Sequence, residues 1–309
     1  MTSPESTDDL PAKFDSLSQQ ISDALQLPAI VQSLPRRVKS LTFVLDDVLH
    51  GFPFGAIKLD GKYLIERFAV CEAFSCLQRP MTQAGAAPSA LLVNVAAGSV
   101  ENNIKPLPGT SREAEIVGRW LAENNFAVQR LSDQAATRAA VLQALSETSF
   151  FHIACHGKFH PNRPDDSGLV LIPAADRIEL LSFQELFGLD LTHVQHASLS
   201  SCWASNSFVF PRQLVLSLPE TLCRAGVHSV LAGLWEVDDR VAINFMSRFY
   251  SYLKKFPRDE ALRQTQLDWL NHRSAPADSP LEDYGKADTT APFYWAGYTV
   301  YGEPGRLQL

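Results

Sequence analysis

The sequence predicts an α/β protein built on a mostly parallel sheet with helices on both faces. Three observations carry that expectation. Short, β-branched apolar runs alternate with stretches whose apolar positions recur at helical spacing. Gly, Pro and polar residues separate these stretches at intervals that suit strand–helix–strand crossovers. The chain of 309 residues is 46% hydrophobic and 20% charged, enough to build a core without disulfide or metal staples.

Residues 1–12 are rich in Ser, Thr, Pro and Asp and read as a mobile tail. Phe14, Leu17, Ile21, Ala24 and Leu25 then mark a helix, with Pro28 and Pro35 breaking the pattern. Residues 39–47 read as a strand. The stretch from Val48 to Val70 reads as strand, loop, strand, with Asp60-Gly61 as a hairpin turn. The Pro, Ala and Gly-rich residues 78–89 mark a subdomain boundary. From Ala90 the alternation is regular. ALLVNVA is a buried parallel strand, and 112–124 is a helix with Ser111 as its N-cap. Strand 127–131, helix 137–145 and strand 149–157 follow. Strand 168–172, a short helix from Ser182, strand 196–202, helix 211–225, strand 229–235 and helix 239–255 complete the series.

The formal net charge of −7, with no long Lys/Arg run, argues against direct nucleic-acid binding. Five scattered Cys without a CxxC pair fit neither a secreted disulfide framework nor a structural zinc site. The polar, acidic start MTSPESTDDL is unlike a signal peptide, and no apolar run approaches membrane-spanning length. A cytoplasmic protein without membrane insertion is expected.

In an open parallel sheet, ligands bind beyond the carboxyl ends of the strands. FFHIACHG delivers His156 and Gly157 to such an end, and ASLSSC delivers Cys202. An imidazole beside a thiol lowers the thiol pKa and can protonate a leaving amine. The N–H groups of Gly157 and Cys202 are natural oxyanion donors. Strand alternation turns Cys155 to the opposite face, into the core, and puts His152 deeper on the His156 face as a packing residue. His160 is a substitute base. Free Cys is among the most buried residue types, so strand placement alone leaves the catalytic and structural readings of Cys202 level.

Longer strings tip that balance. HIACHG (152–157), SLSSCWAS (198–205), CRAGVHSVLAGLWEVDD (223–239), FMSRFYSYL (245–253), ALRQTQLDWL (261–270) and APFYWAGYTVYGEP (291–304) resemble, in order, the motifs of the CHAT domain. So do HGFPFGAI (50–57) and LPGTSREAEIVGRWL (107–121) upstream. CHAT domains are a caspase-like family related to separase and often joined to TPR repeats. The resemblance covers roughly residues 40–304, although Trp203 and Ala204 replace the usual Glu-Thr after the Cys, and Ser201 replaces Ala.

The resemblance implies a caspase-like three-layer α/β/α sandwich over 86–309, preceded by a smaller, inactive protease-like portion over 13–85. It implies a cysteine endopeptidase with His156 as base and Cys202 as nucleophile, needing no metal or cofactor. Cleft candidates are Trp203 and Trp235, with Asp165 and Asp166 after the histidine strand and Asp238 and Asp239 after the LWEV strand. A carboxylate there would favour a basic P1 residue, as in separase, although Asp239 could instead cap the following helix. Family analogy adds a protein substrate, of which a gasdermin-type pore former is one kind. It also adds release by a sensor partner, such as a TPR or NTPase protein, in immunity or programmed death. The competing expectation is a catalytically idle interaction scaffold. A nucleotide-binding enzyme has no glycine-rich phosphate loop to support it.

Overall fold

The computed structural model describes residues 10–45, 49–74, 88–160, 162–174, 177–201, 204–205, 208–210, 214–271 and 290–307. Two helices lead, α1 (Leu10–Ala24) and α2 (Leu27–Ser33). The helical pattern breaks between the two helices, as expected, and Pro28 belongs to the second. It sits in the first turn of α2, where a missing N–H costs nothing, after Gln26 has reversed the chain at φ 54°. Strand β1 (Ser40–Val44) follows, then the short hairpin β2 (Lys58–Leu59) and β3 (Lys62–Tyr63). Asp60 and Gly61 turn that hairpin at φ 52° and 77°, as the Asp-Gly pair predicts. One helical turn, α3 (Leu64–Arg67), leads into β4 (Ala69–Ala73).

The regular alternation starts with β5 (Ser89–Asn94), α4 (Gly109–Glu123), β6 (Ala127–Ser132), α5 (Arg138–Leu145) and β7 (Phe150–Ala154). An excursion follows, made of β8 (Gly157–Lys158), β9 (Gly168–Ala174) and β10 (Arg177–Ser182), which pair antiparallel as a small separate sheet. The chain then runs through α6 (Phe183–Phe187), β11 (His196–Ser200), the hairpin β12 (Phe208–Phe210) and β13 (Leu214–Leu216), α7 (Leu218–Ala225) and β14 (Ser229–Gly233). It closes with α8 (Asp239–Leu253), α9 (Arg258–Leu270), α10 (Pro292–Trp295) and β15 (Tyr298–Gly302).

Two helix starts differ from the sequence expectation. The helix expected over 211–225 begins only at Leu218, because Leu214–Leu216 pairs with β12 and Ser217 accepts the Glu220 N–H as the N-cap. Helix α4 begins at Gly109, so Ser111 lies inside it and is no cap.

Eight strands form the main sheet in the order β1-β4-β15-β14-β11-β7-β5-β6. Every neighbouring pair is parallel except β14 with β15. This is the mostly parallel α/β sheet that the alternation predicts. Strands β1 and β4, from the stretch expected to form a smaller N-terminal portion, extend this same sheet through β15. The chain leaves β5 first to β6 on one side and then to β7, β11 and β14 on the other. That reversal opens a crevice at the carboxyl ends.

Strand alternation divides the core. Leu91, Val93, Phe151, Ile153 and Cys155 pack toward α5, α6 and α7. Ala90, Leu92, Phe150 and Leu231 pack toward α4 and α8, against Val117, Leu121, Phe245 and Phe249. Both faces of β7 are covered and all five of its residues are buried. Among the described residues no helix is long and apolar enough to cross a membrane.

Candidate active site

Strands β7 and β11 run side by side in parallel, with Phe150 paired to His196 and Ala154 to Ser200. The pairing persists one residue further, where the Cys155 N–H donates to the Ser200 carbonyl at 3.3 Å. His156 follows at the end of β7 and is partly exposed. Cys155 is buried among apolar side chains on the opposite face, as alternation requires. Cys202 and Trp203 lie outside the described residues. Their flanks do not: Ser205 donates its N–H to the Gly233 carbonyl at 2.9 Å, and the Ser201 carbonyl is packed against Gly233.

His156 is oriented by a partner that no sequence motif announces. Its Nε2 donates to the backbone carbonyl of Lys105 at 2.7 Å. That bond fixes the tautomer and leaves Nδ1 to exchange a proton. The Lys105 backbone is held in turn: Ser99 and Ile104 exchange hydrogen bonds on one side, and the Leu107 N–H donates to Ala96 on the other. Asp133 accepts the N–H groups of Ala96 and Ala97 at 2.8 and 3.0 Å.

Gly157 opens β8, and the Val170 N–H donates to the His156 carbonyl at 2.8 Å. In an antiparallel ladder, hydrogen-bonded and non-hydrogen-bonded pairs alternate. The bonded pair is therefore His156 with Val170, and the next pair, Gly157 with Leu169, is non-bonded. The Gly157 N–H is turned away from β9.

The four candidate carboxylates separate into two groups. Asp165 accepts from Gln184 on α6 and Asp166 pairs with Arg163, so both serve the loop between β8 and β9. Asp238 and Asp239 stand at the start of α8. The helix cap is Asp238, which accepts the Arg240 N–H at 3.0 Å, and not Asp239. Asp239 reaches across to accept the Gly109 N–H at 2.7 Å, and so caps α4 instead. Burial raises the Asp239 pKa above the usual carboxylate value. The nearby charges of Glu113 and Asp238 add to the rise, while the Gly109 N–H and His156 oppose it.

Asp239 lines a small cavity of about 30 Å³ with Thr110, Glu113, Cys155, Ser200 and Ser201. Trp235 stacks on exposed Phe293 at 6.3 Å and donates Nε1–H to its carbonyl. His160 serves its own loop, where its Nδ1 accepts the Asn162 N–H at 3.4 Å. His152 is fully buried, as expected, but its contacts are polar: Glu113 and the Tyr250 hydroxyl. Among the described residues no group of three or more His, Cys, Asp or Glu is placed to hold a metal ion.

The fold is similar to those of solved cysteine proteinases. The chain is similar to the Arg-specific cysteine proteinase gingipain R, with a TM-score of 0.59 at 13% identity over 99% of this chain and 69% of that one. In the complex of the Porphyromonas gingivalis RgpB pro- and mature domains the TM-score is 0.57 at 12% identity, over 97% and 70%. The Saccharomyces cerevisiae separase of a separase–securin complex matches with a TM-score of 0.54 at 10% identity, over 87% of this chain and 16% of separase. At these identities the likeness is one of fold, the caspase-like sheet with its helical layers. No curated protein sequence matches the chain. The CHAT domain family model matches residues 15–303, and the chain belongs to that family.

Proposed function

We propose that this protein is a cysteine endopeptidase in which Cys202 attacks the substrate carbonyl and His156 protonates the leaving amine. The observation that carries the reading is the register of β7 and β11. Ala154 and Ser200 are parallel ladder partners, and in sequence His156 and Cys202 each follow two residues later, which supports a shared site at this sheet end. The Lys105 carbonyl holds Nε2 and leaves Nδ1 to act on the thiol. The oxyanion is held by the N–H groups of Gly157, which the ladder leaves outside the β8–β9 pairing, and of Cys202. Water then hydrolyses the thioester, regenerating the thiol and releasing the acid.

Asp239, half-buried at the cavity edge, favours a basic P1 residue. Asp238 contributes charge at the rim, and Trp203, next to Cys202 in sequence, is a further candidate for substrate choice. Asp165 and Asp166 have structural partners that argue for a supporting role only. The substrate is a specific protein, a gasdermin-type pore former being one kind. The enzyme works in the cytoplasm and is released by a sensor partner of the TPR or NTPase type in defence or regulated cell death. These biological assignments rest on analogy with the family.

The test is labelling of Cys202 by electrophilic peptides ending in Arg or in a neutral residue, read by mass spectrometry. Wild type should label at Cys202, faster with the Arg peptide, and His156→Ala should label at least about 100-fold more slowly. Labelling equal in wild type and His156→Ala removes the dyad. Hydrolysis that persists in Cys202→Ala removes the peptidase assignment.

A further inference from the structure

One buried carboxylate joins the two strands that end at His156 and Cys202. Glu113, on α4, is 1% exposed. Its Oε2 accepts a hydrogen bond from the Ser200 hydroxyl at 3.1 Å, at the last paired residue of β11. Its Oε1 stands 2.8 Å from Nε2 of His152 on β7, although not in line for a straight hydrogen bond. On its other side the His152 ring meets the Tyr250 hydroxyl of α8, Nδ1 to oxygen, at 2.9 Å. Tyr250 in turn donates to Ser198 of β11 at 3.1 Å. Ser198 is the ladder partner of His152, so β7 and β11 are bridged on this face by a polar cluster, which continues from Ser198 to His196.

The protons follow from these contacts. Tyr250 donates its hydroxyl hydrogen to Ser198, so it accepts from Nδ1–H of His152. Apolar residues of equal volume would fill this space at less desolvation cost. The cluster therefore adds directional restraint that packing alone would not supply. Its members sit two residues before Cys202 and four before His156.

We propose that Glu113 is a positioning residue, which fixes the separation of the β7 and β11 ends and through it the pairing of His156 with Cys202. This rests on the peptidase reading above. Glu113 touches neither reacting group and acts through the two strands.

The experiment is the pH profile of iodoacetamide alkylation at Cys202 in the full chain, resolved by peptide mass spectrometry. Wild type, Glu113→Gln, Glu113→Ala, Ser200→Ala and His156→Ala are compared, with circular dichroism as a folding control. Glu113→Gln retains an acceptor for Ser200 and a donor for His152, and should keep the wild-type profile. Glu113→Ala should shift the midpoint up by about one pH unit, a roughly ten-fold loss of thiolate near neutrality. Ser200→Ala, which cuts only the β11 tie, should shift it in the same direction by less, and it carries the test alone if Glu113→Ala does not fold. A role in stability alone would lower the melting temperature and leave the profile where it is. An unshifted profile in folded Glu113→Ala or Ser200→Ala overturns the proposal, as does failure of Glu113→Gln to preserve it. If wild type and His156→Ala share one profile, the dyad itself is wrong and the positioning role goes with it. If the profile depends on His156 but not on Glu113, only the positioning role falls.

Discussion

On the proposed peptidase reading, the chemistry of His156 is decided by which of its two nitrogens is occupied. The Lys105 carbonyl takes Nε2–H at 2.7 Å. A carbonyl is common to every residue type, so the side chain at 105 is free to vary. Lys105→Ala is expected to leave kcat/KM within about two-fold, since surface substitutions usually cost ~0.5 kcal/mol or less. A larger loss would mean that the ammonium, not the carbonyl, serves the site. The same logic explains what could be read from sequence here. His156 and Gly157 sit in a string that announces a strand end, but an orienting backbone carbonyl has no sequence signature. Asp239 is the intermediate case. Its side chain marked it as a candidate, while its contact with Gly109 spans 130 positions and is invisible to any local reading. Asp239→Asn retains an acceptor and should keep the fold. The proposed preference for P1 Arg over a neutral P1 should drop roughly 10- to 100-fold, the worth of a charged hydrogen bond. Because burial raises the Asp239 pKa, acidification should neutralise it, and abolish the Arg preference, at a higher pH than an ordinary Asp would require. Selectivity measured from pH 4 to pH 8 checks the sign: a preference that grows on acidification contradicts the assignment.

At the scale of elements, local chemistry was legible where the element satisfies itself. Thr137 caps α5 by accepting the Ala140 N–H, and Ser182 forms a capping box with Glu185 on α6. Asp60-Gly61 turns its hairpin with both residues in the left-handed region. Expectations failed where the partner comes from elsewhere. The first turn of α4 takes its cap from Asp239, so Ser111 was the wrong place to look. The stretch before α7 pairs with β12, and that overrides the helical pattern read over 211–225. The end of α7 offers a direct test. Gly226 terminates it at φ 117°, and a Cβ there would meet the Thr192 backbone nitrogen at 2.6 Å. Both strain and collision oppose a side chain, so Gly226→Ala should destabilise the protein by about 2 kcal/mol or more. Chemical denaturation reads this directly, and an unchanged midpoint would mean that the loop before β11 yields freely.

For the molecule as a whole, the alternation of strands and helices predicted the layers, but not that β1 and β4 would continue the same sheet. That outcome depends on β15, which returns from the end of the chain and runs antiparallel to β14 and parallel to β4. The seam carries an unusual group. Glu72 of β4 is paired with Tyr301 of β15 and is 2% exposed, and burial pushes its carboxyl pKa up to about 8. Folding thus makes Glu72 hold its proton more tightly than the unfolded chain does. Between the ordinary carboxylate value and about 8 the folded state binds more protons, so this group makes stability fall as pH rises through that window. Below the window the neutral acid is accommodated. Above it a charge must be buried at the junction of the two halves of the sheet. Glu72→Gln keeps the shape and removes the ionisation. It should melt close to wild type at pH 5 and roughly 7 °C higher at pH 8.5, where ~4–5 kcal/mol of unfavourable ionisation is relieved. The comparison is made between the two proteins at each pH, so that other titrating groups cancel. A wild type that gains stability relative to Glu72→Gln as the pH rises would require a cation against Glu72, and the seam would then be held by charge and not by the neutral acid.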